Sequence, residues 1–106
     1  MEIKITDNNF ETEVKACSLP VLVDFYADWC GPCKMMAPLV AQLSEAYEGK
    51  CKVGKCNTDE NPMLAREFNI MSIPTFILFK DGAVVDTLIG AVSKNELEAR
   101  IKQVLA

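Results

Sequence analysis

The 106-residue sequence contains no histidine at all. This absence excludes cysteine–histidine nucleophilic pairs, histidine general bases and zinc sites with histidine ligands. The remaining groups that can carry proton transfer or nucleophilic attack are thiols, carboxylates and lysine amines. Any chemistry in this chain must therefore run on those groups.

The sequence also lacks a basic run and a long apolar run. Its formal net charge is −4, with lysine and arginine scattered, so nothing predicts a nucleic-acid partner. Apolar runs such as Leu19–Val23, which contains Pro20, are too short to cross a bilayer. The first ten residues contain no apolar stretch of the kind that a secretion signal has. We expect a monomeric, cytoplasmic protein with a single domain over residues 1–106 and no membrane partner.

Five cysteines are present, an odd number that does not suit a disulfide scaffold. Cys51 and Cys56 lie five positions apart around a predicted strand, so they should point to opposite faces and not share a zinc ion. Cys17 falls on the apolar face of a predicted helix. We interpret all three as small hydrophobic core residues.

Hydrophobic periodicity predicts alternating strands and helices. Ile3–Ile5 is a strand candidate, and Asn8 or Asn9 is expected to cap a helix that ends before Pro20. Further predicted strands and helices follow: strand Val21–Ala27, a long helix ending at Gly49, strand Lys52–Asn57, a short helix capped by Asn61, strands Thr75–Lys80 and Ala83–Ile89, and a final helix with a Ser93–Glu96 capping box.

The order β-α-β-α-β-α-β-β-α predicts an α/β fold. Alternation in the first half implies parallel strands with helices on both faces, and the Asp81-Gly82 turn adds an antiparallel hairpin. Active sites in such sheets lie beyond the carboxyl ends of the strands. The segment WCGPCK occupies that position, directly after strand Val21–Ala27.

The paired cysteines in this segment suit dithiol–disulfide exchange. Cys30 precedes the first turn of a helix, where free N–H groups and the helix dipole favour a thiolate. Gly31 and Pro32 let the chain turn tightly into the helix. Cys33 lies within disulfide reach, and we expect it to be more buried than Cys30. Cys30 would then attack a substrate disulfide, and Cys33 would resolve the mixed disulfide.

Asp24 is the candidate acceptor for the proton of Cys33. In a strand buried on both faces its carboxyl is desolvated, which raises its pKa towards the working range of a general base. Lys55 could moderate Asp24 if the two side chains share a face. The alternatives are that Asp24 is a buried polar group satisfied by hydrogen bonds and that Lys55 is an ordinary solvated lysine.

The chain resembles the thioredoxin family from end to end. The resemblance rests on VDFYA and WCGPCK, with further matches in KCNTDENP at 55–62, SIPT at 72–75 and IGA at 89–91. It implies a thioredoxin fold, with a mixed sheet of about five strands flanked by four helices. It also implies protein disulfide reductase activity, recycling by a thioredoxin reductase, disulfide-containing protein substrates, and no cofactor besides the Cys30–Cys33 disulfide.

The resemblance assigns roles to individual residues. It implies that Cys30 attacks, that Cys33 resolves, and that Asp24 assists with Lys55 nearby. It further implies a cis bond before Pro74, facing the cysteines. An apolar substrate-binding platform would surround the pair, formed by Trp29, Gly31, Pro32, Ile73, Pro74, Gly90 and Ala91.

The sequence departs from the family pattern in a few places: Tyr26 replaces a common Trp, Met71-Ser72 precede Ile-Pro where a Gly often stands, and Cys56 occupies a usually aliphatic position. None of these departures affects the dithiol. A second hypothesis remains open at this point, that the chain is a binding or assembly module with the same fold, in which redox activity is incidental. Replacement of Cys30 and Cys33 by serine would distinguish the two, since only a reductase loses its function.

Overall fold

The computed structural model describes all residues from Met1 to Ala106. Five strands and four helices follow one another in the predicted order. Their bounds are β1 Ile3–Lys4, α1 Glu11–Lys15, β2 Val21–Tyr26, α2 Gly31–Ala46, β3 Lys52–Asn57, α3 Pro62–Glu67, β4 Thr75–Lys80, β5 Ala83–Ile89 and α4 Lys94–Leu105.

The strands form one mixed sheet in the order β1-β3-β2-β4-β5. Strands β1, β2 and β3 are parallel, whereas β4 pairs antiparallel with both β2 and β5. The central position of β2 explains why its sequence is an almost unbroken apolar run, because both of its faces are covered. The predicted α/β class with a mixed sheet is confirmed.

Two hydrophobic clusters pack against opposite faces of this sheet. Leu22 and Val53 belong to one cluster, while Val23 and Phe25 belong to the other, as the alternation of side chains along a strand requires. Cys51 packs in the first cluster and Cys56 in the second. The prediction that these two cysteines face opposite sides is therefore confirmed. Cys17 is only half-buried at the edge of the second cluster.

Gly54 in β3 lets β1 approach closely. A Cβ atom at this position would lie 2.5 Å from Cγ1 of Ile5 and 3.3 Å from the carbonyl oxygen of Ile3. The side chain of Ile5 thus fills the space that any larger residue would need. This contact holds the edge strand β1, and the residues that precede it, against β3.

The predicted helix caps were wrong at two of three helices. Asn9 does not cap α1: its Oδ1 accepts the N–H of Thr6 at 2.7 Å, and the Oγ1 of Thr6 accepts the N–H groups of Asn8 and Asn9. The helix itself is a short π-helical segment. At α4 the Ser93 half of the predicted capping box is present, since the Oγ of Ser93 accepts the N–H of Glu96 at 3.1 Å, while the carboxylate of Glu96 accepts from Arg100.

The cap of α3 comes from a distant part of the chain. The carboxylate of Asp7 accepts the N–H groups of Met63 and Leu64 at 3.3 and 2.9 Å. Asn61, which was expected to cap this helix, instead accepts the N–H of Asp7 and donates to the carbonyl of Asn57. Asn61 therefore positions the capping residue rather than acting as the cap. None of the helices is long and apolar enough to cross a membrane.

Candidate active site

Cys30 and Cys33 lie where β2 leads into α2. Cys30 has extended backbone geometry and is the N-cap residue of α2, and Pro32 sits in the first turn. The two cysteines form a disulfide, with their Cα atoms 5.2 Å apart. The Sγ of Cys30 accepts the backbone N–H of Cys33 at 3.2 Å. The same N–H would stabilise a thiolate on Cys30 after reduction, as expected at a helix N-terminus.

The expected difference in burial between the two cysteines is wrong for this oxidised form. Each side chain is only 4 % exposed. The Sγ atoms differ instead in what they contact. The Sγ of Cys30 lies 3.8 Å from the carbonyl oxygen of Ile73, whereas Cys33 lines a cavity that is also lined by Asp24. The sequence could not show this, because the disulfide draws both sulfur atoms into one small cluster with Ala27.

Asp24 is a buried carboxyl in the middle of β2, only 2 % exposed. It lines a cavity of about 150 Å³ together with Cys33 and Lys55. Its Oδ1 is buried and has no hydrogen-bond partner. Desolvation by burial raises the pKa of Asp24 to about 7; Lys55 partly opposes this rise, and Glu2 adds to it. The unpaired oxygen does not fit the alternative of a buried polar group that is satisfied by hydrogen bonds.

Lys55 lies on the same face of the sheet as Asp24. The two residues are register partners in the parallel pair of β2 and β3. The Nζ of Lys55 stands 4.6 Å from the centroid of the Tyr26 ring, a cation–π arrangement. Lys55 is half-buried and lines the cavity of Asp24. Part of the Lys55 side chain is therefore shielded from solvent.

The proposed platform residues differ in their exposure, and Ile73 is the one that approaches Cys30 from a distant part of the chain. Trp29 is 70 % exposed, and its Nε1 donates to Oδ2 of Asp59 at 2.8 Å. Gly31, Pro32 and Ala91 are also exposed, Ile73 and Gly90 are half-buried, and Pro74 is buried.

A loop on the far side of the disulfide completes this surface. The Ile73–Pro74 peptide bond is cis. The N–H of Gly90 donates to the carbonyl of Pro74 at 2.7 Å, and Gly90 has a φ of +87°, a conformation that suits glycine. These contacts hold the segment before β4 and the segment after β5 side by side.

Two contributors to the site were missed from the sequence. Asp59 anchors the indole of Trp29, and Glu2 acts electrostatically on Asp24. Asp59 lies inside the KCNTDENP segment, so its position beside the site could have been suspected. Glu2 carries no motif and precedes a strand of two residues, and only the sheet order reveals that it lies near Lys55.

Comparisons with known proteins agree with this geometry. The Thioredoxin family model matches residues 1–103. Thioredoxin 1 of Nostoc sp. is 50 % identical over 100 residues, covering 94 % of each chain. Thioredoxin 1 of Synechococcus elongatus is 54 % identical over 93 residues, covering 88 % of this chain and 87 % of that one. Thioredoxin of Synechocystis sp. is 50 % identical over 102 residues, covering 96 % and 95 %. By its sequence, its sheet and its redox-active Cys30–Cys33 disulfide, the chain belongs to the thioredoxin family of protein disulfide oxidoreductases.

Proposed function

We propose that this chain is a general protein disulfide reductase, recycled by a thioredoxin reductase. Dithiol–disulfide exchange follows from the family and from the paired cysteines. One observation supports a reductase most: Cys33 and the unpaired carboxyl of Asp24 line the same cavity. A proton acceptor beside the resolving thiol serves the release of a reduced substrate.

The reaction begins with the reduced chain. The thiolate of Cys30 attacks one sulfur of a substrate disulfide, forming a mixed disulfide and releasing the other substrate sulfur as a thiolate. Asp24 takes the proton of Cys33, whose sulfur then attacks Cys30. The bond between Cys30 and the substrate breaks, and the second substrate thiolate leaves. Two electrons have passed to the substrate, and the chain is left with the Cys30–Cys33 disulfide.

Substrates would dock on the surface beside the disulfide. Trp29, Gly31 and Pro32 present an exposed, smooth face on one side of Cys30. Ile73 and Gly90 lie on the other side, next to the cis Ile73–Pro74 bond. An extended substrate segment could pair with the backbone there, which requires little of the substrate sequence. Such a surface suits a reductant that acts on many proteins.

A thioredoxin reductase would return two electrons to the Cys30–Cys33 disulfide after each cycle. We further propose that the chain works in a reducing compartment such as the cytoplasm. Cys17, Cys51 and Cys56 remain free thiols in this structure, and free thiols are typical of a reducing environment.

Turnover assays test the proposal. The chain, NADPH and a bacterial thioredoxin reductase should together reduce several unrelated disulfide proteins, with NADPH oxidised in step. Cys30→Ser should abolish turnover, while Cys17→Ser, a matched change outside the site, should leave it near wild type. Two results would count against the proposal: reduction of a single substrate only, or no electron transfer from the reductase to a correctly folded chain.

A further inference from the structure

A second charged cavity adjoins the cavity of Asp24. It has a volume of about 360 Å³ and is lined mainly by charged side chains. The two cavities share Tyr26, Asp28 and Lys55 as a common wall. Lys55 therefore faces Asp24 on one side and Glu2 on the other.

The register of the sheet explains this arrangement. Lys4 of β1 pairs with Lys55 of β3, and Lys55 pairs with Asp24 of β2. Side chains two positions apart along an extended chain point to the same face, so Glu2 shares the face of Lys4. Three adjacent chain segments thus place Glu2, Lys55 and Asp24 on one face of the sheet. The ammonium group of Lys55 belongs to the middle segment.

The carboxylate of Glu2 forms no salt bridge and no hydrogen bond with the rest of the chain. Its Oε2 is buried without a hydrogen-bond partner. The nearby Lys4 pairs with Glu60 instead, at 4.0 Å, and the terminal amine of Met1 pairs with Glu48. Burial raises the pKa of Glu2, and Lys55, followed by the terminal amine, opposes that rise. Lys55 is the charge that stabilises ionised Glu2 most.

We infer that Glu2 is a positioning residue for disulfide exchange: it shares Lys55 with Asp24 and thereby governs how readily Asp24 accepts the proton of Cys33. The inference rests on the proposed function, in which Asp24 is that proton acceptor. Glu2 touches neither the dithiol nor the substrate surface. It acts through the charge that it places beside Lys55.

The direction of the effect follows from the charges. Ionised Glu2 repels ionised Asp24, and it also offsets part of the positive charge of Lys55 that stabilises the Asp24 carboxylate. Both effects keep the pKa of Asp24 high. Other titratable groups line the cavity of Asp24: Cys33 and Lys34 of α2, Tyr26 at the end of β2, and Asp28 beyond it. Cys56 of β3 lies on the opposite face of the sheet, although the charge of Asp24 helps to raise its pKa. The partner of Asp24 on β4 is the uncharged Phe76. These groups are unchanged when Glu2 alone is replaced.

A direct test is an NMR titration of the Asp24 carboxyl in the oxidised, folded chain. The wild-type pKa should be about 7. Glu2→Gln should lower it, and Glu2→Asp, which keeps the charge, should stay closer to wild type. Glu60→Gln is the matched control, because it removes one negative charge from the same cavity. Lys55 and Glu2, rather than Glu60, are the charges that shift the pKa of Asp24. This control should leave the Asp24 titration where it is.

Exchange kinetics supply the second readout. In Glu2→Gln the acidic limb of the pH–rate profile should move to lower pH together with the Asp24 titration, a change that a purely structural role for Glu2 would not produce. An Asp24 pKa equal to wild type in Glu2→Gln, or lowered just as much in Glu60→Gln, would overturn the inference. If wild type itself fails to exchange disulfides, the proposed function fails, while the NMR comparison still decides whether Glu2 controls Asp24.

Discussion

Asp24 combines two properties that rarely occur together in one residue. It is almost completely buried in the central strand, and one of its oxygens has no hydrogen-bond partner. Burying an unpaired ionisable group costs folding free energy. The same burial raises its pKa to about 7, where a carboxyl can accept a proton near neutral pH. Burial is therefore the single cause of both the loss of folding free energy and the raised pKa of Asp24.

Asp24→Ala should stabilise the fold and slow exchange. The folded pKa of about 7 lies above the ordinary value of 3.8, so ionising Asp24 disfavours the folded state by up to roughly 4 kcal/mol. The cavity left by the substitution and the lost attraction to Lys55 reduce the gain, which should be on the order of 1–3 kcal/mol at neutral pH. Denaturant unfolding of both proteins measures it.

The pH dependence of this gain has a defined sign. A raised folded pKa means that the penalty is absent below pH 3.8, grows as the pH rises, and levels off above about pH 7. The stability difference between Asp24→Ala and wild type should follow that curve. A mutant that is less stable than wild type at neutral pH, or one that exchanges disulfides equally fast, would show that Asp24 is structural.

The five cysteines should differ sharply in reactivity once the disulfide is reduced. Cys30 should react first with iodoacetamide, because the helix N-terminus stabilises its thiolate. Burial raises the pKa of Cys51 to about 11 and that of Cys56 to about 12, so both should resist labelling. Half-buried Cys17 should fall in between.

Peptide mapping after brief labelling at neutral pH measures these rates. In Cys30→Ser the fast-labelled peptide should disappear, with the other cysteines unchanged. Labelling of Cys51 or Cys56 as early as Cys30 would contradict their assignment as inert core residues.

At the level of secondary-structure elements, periodicity predicted the strands well and the helix ends poorly. Three strands have the predicted bounds: Lys52–Asn57, Thr75–Lys80 and Ala83–Ile89. Their bounds could be predicted because the hydrophobic pattern of a strand follows directly from which of its side chains are buried. The ends of α1 and α3 depend on a few specific hydrogen bonds instead. The acceptor at α3 is Asp7, which lies 56 residues before Met63 in the chain. A local sequence pattern cannot show a partner that only the tertiary fold brings close.

Asp7→Ala should destabilise α3 and, with it, the fold. The change removes the acceptor of two N–H groups in the first turn of a helix of only six residues. Loss of an N-cap costs about 0.5–2 kcal/mol. The free energy of unfolding measures the loss, and amide exchange at Met63 and Leu64 should speed up.

Asp7→Asn is the matched control for this cap. It keeps one side-chain oxygen, which can accept the N–H of Leu64, and replaces the acceptor of the Met63 N–H by an amide NH2 group, so it should retain part of the lost stability. A loss of stability that is equal in the two variants would mean that the charge of Asp7, rather than the cap, is what matters. No change in either variant would mean that the cap contributes nothing measurable.

At the scale of the whole molecule, the fold brings distant segments to one end of the sheet. Cys30 follows β2, yet its sulfur lies 3.8 Å from the carbonyl oxygen of Ile73, which precedes β4. Gly90, which follows β5, is linked to the same segment by its hydrogen bond to Pro74. The motif residues could be predicted from sequence because they lie together in WCGPCK. The position of Asp59 near the site could be suspected from KCNTDENP, but its hydrogen bond to Trp29 and the charge effect of Glu2 on Asp24 could not, because they depend on the packing of β1, β3 and the loop after β3.

The oxidised protein should be more stable than the reduced one. The disulfide links residues three positions apart, so it closes a very short loop and restricts the unfolded chain only modestly. The chain-entropy relation gives roughly 2 kcal/mol for a loop of this size. Urea unfolding with and without reductant measures the difference. A reduced form that is equally stable or more stable would show that the folded state strains to hold the disulfide.

The division of labour between Cys30 and Cys33 is the central claim, and trapping of mixed disulfides tests it most directly. Each single serine variant is reduced, mixed with a disulfide-containing protein and analysed by non-reducing mass spectrometry. Cys33→Ser should accumulate a covalent adduct through Cys30, because the resolving thiol is gone. Cys30→Ser should accumulate none. Equal adducts in the two variants, or adducts only in Cys30→Ser, would contradict the account.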